Sequence, residues 1–254
     1  ETGDLNSAKG YFDRLDCLIP RGQVCDEFSK ALFNRNYGYY YHALGDLDSA
    51  QYYLEEALTL YKKSHLRGHY QIAYSYNYLA QLYAGQGFLE KALNNFQESL
   101  AIFQNDTTLN NQELYEMNRV SYETVYLSCV SSFIEFINSL LTDSNRLVES
   151  VDLEQIYKLV QSAEDRINTF VFSQPTSSSV FTMTKKVRGL FDAGIKLALH
   201  LNRLTNENRY LDQAFEWAVR AKGYSIRVMA EKELQALQKP ELRSLFLEQK
   251  RLME

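Results

Sequence analysis

The chain has 254 residues, 45% hydrophobic and 13% aromatic, with only 3 Pro and 11 Gly, a composition poor in breakers that predicts mostly helix and a core about six helical hairpins long. Its formal net charge of −5 arises from 27 basic and 32 acidic residues interspersed along the sequence, with no basic block to serve as a phosphate-binding footprint, so nucleic acid is not an expected partner. No apolar run approaches the roughly 18 residues of a membrane span, the best stretch, Cys129 to Leu141, being interrupted by Glu135, and no signal peptide opens the chain, so no membrane partner and a cytoplasmic location are expected.

An echo with a period of 42 residues opens the chain: Gly3-Asp4-Leu5-Asn6-Ser7-Ala8 recurs as Gly45-Asp46-Leu47-Asp48-Ser49-Ala50 and as Gly87-Phe88-Leu89-Glu90-Lys91-Ala92. Each copy places a Gly where one helix stops, an acidic residue soon after, and an Ala where the next helix presses on its partner. The unit is therefore a helical hairpin. Units of this size bury their apolar stripes only by stacking, which predicts an all-α fold, a right-handed superhelix of stacked antiparallel hairpins. The chain begins at a hairpin turn, and the expectation is of a fragment with more protein upstream.

Residues 5–18 read as the second helix of a hairpin, with Ala8, Phe12 and Leu15 on one face and Pro20 preventing its continuation. Residues 28–44 make the next first helix, whose inner face is expected to be Tyr37, Gly38, Tyr41 and Leu44; Ala50, Leu54, Ala57 and Leu58 answer from the following helix. Leu79, Ala80, Leu82 and Tyr83 before Gly87, then Ala92, Phe96, Ser99 and Leu100 after it, repeat the plan. Past residue 112 the echo fades but long apolar helices are expected at 114–141, 151–172, 180–204 and 209–238, parted by polar segments at 142–145, 173–179 and 205–208. Ala214, Ala218 and Ala221 restore a small-residue face in the last of them. The expected organisation is clear repeats over 1–111 and degenerate, longer hairpins over 112–254 that end in a connector.

The spacing of small residue, aromatic and Gly, then Ala, aromatic or Leu, and Ala over residues 3–104 resembles the tetratricopeptide repeat. Within it, His69-Tyr70-Gln71-Ile72-Ala73-Tyr74-Ser75-Tyr76-Asn77-Tyr78-Leu79-Ala80 resembles the extended repeats of kinesin light chains, with Tyr70 where that family has Pro. Tyr210-Leu211-Asp212-Gln213-Ala214-Phe215-Glu216-Trp217-Ala218-Val219-Arg220-Ala221-Lys222 is similar to the helical segment that precedes CHAT domains, caspase-like protease domains of bacterial proteins carrying these repeats. The segment departs from that pattern at Val219, where an acidic residue is more usual, and at Gly223. This resemblance implies that the chain is a recruiting or regulatory arm whose protease domain, with its catalytic residues, lies beyond Glu254. A free-standing adaptor or peptide-sensing module of a bacterial regulator or kinase is the alternative.

A protein or peptide ligand in a concave groove is the expected partner. The side chains that face away from the partner helix are Leu32, Arg35, Tyr39 and His42 in one hairpin and Tyr74, Asn77, Gln81 and Ala84 in the next. Arg35 suits a carboxylate, Asn77 suits both sides of a peptide backbone, and Tyr39 and Tyr74 offer contact area at low entropy cost. The expected ligand set is thus Arg35, Tyr39, His42, Tyr74, Asn77 and Gln81. Candidate chemistry fails: His65 and His69 flank Gly68 near a predicted turn, Gly85-Gln86-Gly87 lacks the continuation of a phosphate loop, and His42 and His200 have no partner at a nucleophile's spacing. Cys17, Cys25 and Cys129 are an odd, irregularly spaced set read as structural thiols, with a Cys17–Cys25 bridge as the minority reading; Asn105-Asp106-Thr107 is a glycosylation sequon by pattern only. No cofactor, metal or catalytic residue is expected within the chain.

Overall fold

A computed structural model describes residues 26–63, 70–104, 112–173 and 177–238. Among these the regular elements are α1 (Glu27–Leu44), α2 (Leu47–Lys63), α3 (Tyr70–Gly85), α4 (Leu89–Gln104), α5 (Gln112–Thr142), a 3-10 turn (Arg146–Ser150), α6 (Leu153–Ser173), α7 (Ser177–Thr205) and α8 (Asn208–Gln238), with no strand. The fold is the all-α helical repeat that the sequence predicts. The chain divides into two compact units, Glu1–Phe133 and Ile134–Glu254, and the division falls inside α5. The helix predicted at 5–18, the loop holding Pro20, Cys17 and Cys25, the histidines 65 and 69, and the sequon lie outside the described residues.

In the first unit, α1 and α2 form one hairpin and α3 and α4 the next. Asp26 caps α1 by accepting the Ser29 N–H at 2.7 Å, and Asp46 caps α2 by accepting the Ser49 N–H at 3.1 Å. Between these helices Gly45 takes φ +79°, and Gly87 takes φ +81° at the equivalent turn of the second hairpin. The 42-residue echo is thus a repeated left-handed helix end, a conformation that only Gly adopts at little cost. Gly38 has the other kind of role: a Cβ there would sit 2.7 Å from Leu54 Cγ and 3.2 Å from the Ala50 carbonyl oxygen, so its missing side chain sets the approach of α1 to α2.

Ala31, Ala57, Tyr61 and Ile72 build a shared core joining the first hairpin to α3, with Phe28, Leu58, Tyr76 and Ile102 packed on it. The second hairpin buries Ala73, Leu79, Ala80 and Leu82 against Ala92, Phe96 and Leu100. Edge-on ring contacts from Phe103 to Tyr122 (5.1 Å) and Tyr126 (5.2 Å) and a tilted one from Phe96 to Phe133 (5.7 Å) add the start of α5 to this unit. One expectation is corrected here. Leu44, predicted on the inner face of α1, is 49% exposed because it falls at the last turn, where the chain already swings out through Gly45.

The second unit contains the end of α5, then α6, α7 and α8. Asn145 and Asp152 start the 3-10 turn and α6 by accepting backbone N–H groups of Leu147 (2.9 Å) and of Glu154 and Gln155 (3.0 and 3.1 Å). Its centre is Trp217, fully buried, beside Gly194 of α7 and Val160 of α6; a Cβ on Gly194 would lie 2.8 Å from Val160 Cγ1 and 3.1 Å from Trp217 Cζ3. The indole N–H of Trp217 donates to the buried Glu164 carboxylate at 2.9 Å, and Arg220 closes on the same group. Asn138 of α5 donates its amide to the Ala193 carbonyl at 2.9 Å. Of the predicted small face of α8, Ala214 is buried while Ala218 and Ala221 are only half-buried, since the indole occupies the middle of that face.

The segment Ser121–Thr142 of α5 is long and apolar enough to cross a membrane by length and composition, a feature that Glu135 hides when unbroken apolar runs are sought. Most of it is buried within the protein, as in a core helix.

Candidate protein-binding site

The first helices of the two hairpins, α1 and α3, bring three of the expected ligand residues together. Arg35 lies two turns from the end of α1 and is 8% exposed. Its guanidinium carbon stands 5.2 Å from the Tyr74 ring and 5.9 Å from the Tyr39 ring. Tyr39 meets Tyr74 edge-on at 5.9 Å and also abuts Tyr78, whose hydroxyl is 3.0 Å from that of Tyr74. The guanidinium therefore lies against two rings that sit to one side of it, since their centroids are as close to each other as to its carbon.

Position of α3 is fixed from behind. The Ala73 carbonyl accepts the Ser99 hydroxyl of α4 at 2.9 Å, and the Cys129 thiol of α5 stands 3.9 Å from the same oxygen. At the other end of α3 the Tyr83 hydroxyl donates to Glu55 of α2 at 2.8 Å, which pushes the phenol up to about 12 through burial first and then the carboxylate beside it. Glu55 is exposed on α2, yet it is a tie between hairpins rather than a merely solvated charge.

The hydrogen-bond inventory of the cluster is incomplete in one direction. Arg35 Nη2 donates to Asn36 Oδ1 at 3.1 Å, but its buried Nε–H has no acceptor, and no carboxylate among the described residues forms an ion pair with it. The buried Tyr39 hydroxyl and Asn77 Oδ1 are likewise without partners. Burying an unpaired cation costs several kcal/mol, of which each aromatic face returns about 0.5–2 kcal/mol. Burial raises the Tyr74 and Tyr78 phenols, Tyr78 to about 12, while the positive charge of Arg35 pulls both back. The phenols therefore remain neutral around the cation and do not neutralise it.

The other expected residues fall outside this contact set. Asn77 is on α3 but only 1% exposed, so a ligand reaches its free oxygen only where the surrounding side chains yield. His42 is exposed in the last turn of α1 and Gln81 is half-buried on α3; among the described contacts neither touches the cluster. Tyr78 is the functional candidate missing from the sequence-derived set. Its spacing of four from Tyr74, which puts both rings on one helix face, is the signal that points to it.

His200 sits in the other unit, its imidazole held below its ordinary value by burial and by nearby Arg203. No group of three or more His, Cys, Asp and Glu side chains suited to a metal occurs among the described residues. The repeated hairpins, with their paired left-handed glycines and buried alanines, raise the question of family. Residues 29–105 match the tetratricopeptide repeat family. That stretch contains every member of the Arg35 cluster and both well-formed hairpins. Tetratricopeptide repeats generally mediate protein–protein interaction, and a fold of this type is typically non-catalytic. No curated protein sequence matches the chain.

Proposed function

We propose that the chain is a partner-recognition module in which Arg35, flanked by Tyr39, Tyr74 and Tyr78, receives a carboxylate from a segment of the bound protein. The observation that carries this reading is the buried guanidinium with a free Nε–H and no counter-charge among the described residues. The free donor lies on the edge of the guanidinium, and a planar two-oxygen acceptor matches that edge better than a neutral carbonyl. His42 and Gln81 lie on the same two helices for contacts further along the ligand. Selection of random peptides against the chain tests the proposal: acidic peptides are expected to dominate, and their binding is expected to weaken more than tenfold in Arg35→Met, whereas enrichment of peptides free of Asp, Glu and a terminal carboxylate overturns it.

The finer reading is that this module is the recruiting or regulatory arm of a bacterial, cytoplasmic CHAT-type protease. The likeness of residues 210–222 to the helix preceding such domains supports it. A free-standing adaptor or peptide-sensing module of a bacterial regulator or kinase is the rival, supported by the tetratricopeptide match over 29–105, which serves either role. Coding sequence downstream of Glu254 separates the two: a His and a Cys on an α/β pattern support the protease arm, and any other domain or a stop codon contradicts it.

A further inference from the structure

The inner face of α8 is spent on Tyr210, Ala214, Trp217 and Tyr224, and a quarter-turn away stands a ridge of Leu211, Phe215 and Val219, exposed to 43%, 71% and 55%. Spaced by four, the three side chains form one line about 12 Å long. We propose that this ridge is a self-association surface, on which a second copy of the chain lays its own α8 antiparallel about a two-fold axis at Phe215. The ridge is symmetric about that residue. The axis sets Phe215 on its own equivalent and Leu211 on Val219 of the second copy, an isologous pairing of apolar groups.

Charge along the helix favours this occupant and this direction. Asp212 lies in the N-terminal half and Lys222 beyond the C-terminal end of the ridge, both exposed. Antiparallel pairing brings Lys222 of one copy within about one helical turn of Asp212 of the other and keeps the two Asp212 carboxylates apart, whereas parallel pairing aligns like with like. Glu216, beside Phe215, is already engaged by its own Arg220 at 3.1 Å and adds little repulsion. Three side chains cover roughly 300 Å² per copy, about 600 Å² over both copies and half of the total of about 1,200 Å² usual for a stable interface, so the association is weak and reversible. It is independent of the Arg35 site.

Sedimentation velocity over about 1–300 µM tests the proposal. The parent chain is expected to dimerise with a dissociation constant on the order of 10–100 µM, and Phe215→Glu to weaken this more than tenfold with circular dichroism and thermal midpoint unchanged, because the side chain is exposed. Lys222→Asp alone is expected to weaken the dimer several-fold, and Asp212→Lys with Lys222→Asp to restore it. A chain that stays monomeric throughout, a dimer indifferent to Phe215→Glu, or a charge swap that fails to rescue overturns the proposal.

Discussion

Arg35 is where stability and binding part company. A buried, unpaired guanidinium is a cost to folding, so Arg35→Met, which keeps the length of the side chain and removes the charge, is expected to leave stability unchanged or raise it by about 1–2 kcal/mol in urea denaturation. A loss of stability would mean that the aromatic faces alone outweigh the burial cost. Gly38→Ala has the opposite sign: the helix gains about 1 kcal/mol from losing Gly, but the new Cβ meets the branch point of Leu54 and a backbone oxygen, and a net loss of about 1–2 kcal/mol is expected. Gly38 is also a position the sequence discloses, since a Gly inside a helical pattern and facing Ala50 and Leu54 marks a close approach of two helices. The burial of Asn77 is not disclosed. Its spacing puts it on the face of α3 that includes Tyr74, but its enclosure depends on side chains from other helices.

At the scale of the helices, α8 is joined to α6 by two polar clusters. Trp217 and Arg220 converge on Glu164, and Tyr210 and Arg209 converge on Glu154, with the Tyr210 hydroxyl 2.7 Å from its carboxylate. Removing the first acceptor in Glu164→Ala leaves the indole N–H buried and unpaired, so a loss of roughly 2–3 kcal/mol is expected. Trp217 is the single tryptophan, which makes its own fluorescence the probe of that unit's unfolding. In the second cluster, hydrogen bonding from Tyr210, followed by the charge of Arg209, holds the Glu154 carboxyl below its ordinary 4.5. Its contribution to stability is therefore complete above about pH 4.5 and lost as pH falls through the lowered value. Tyr210 is pushed up to about 12 by burial and by the same carboxylate, so its contribution is complete below pH 10 and lost as pH rises towards 12. Stability of Glu154→Gln against pH is expected to be flatter than that of the parent below pH 4.5; parallel curves would count against the assignment. The helices themselves are legible from periodicity: the expected 114–141, 151–172, 180–204 and 209–238 appear as Gln112–Thr142, Leu153–Ser173, Ser177–Thr205 and Asn208–Gln238. The ties between them are not, because Glu164 and Trp217 are 53 residues apart and no local pattern couples them.

For the molecule as a whole, the repeat is the most legible property, because a left-handed turn every 42 residues leaves Gly in the sequence wherever it recurs. The grouping of helices into units Glu1–Phe133 and Ile134–Glu254 leaves no such mark, since the division falls inside α5, in a stretch with no glycine or proline. The Arg35 cluster is half legible. Exposure-prone residue types on first helices single out Arg35, Tyr39 and Tyr74, while the absence of a counter-charge among the described residues belongs to three dimensions. Binding at Arg35 rests on that absence, and calorimetric titration of a selected acidic peptide into the parent chain and into Arg35→Met tests it most directly. Binding by the parent is expected to weaken more than tenfold in the variant and when the peptide's carboxylate is converted to its amide, with no further loss when both changes are combined. Equal affinity for the acid and its amide, or undiminished binding by a folded Arg35→Met chain, would contradict a carboxylate-receiving role for Arg35.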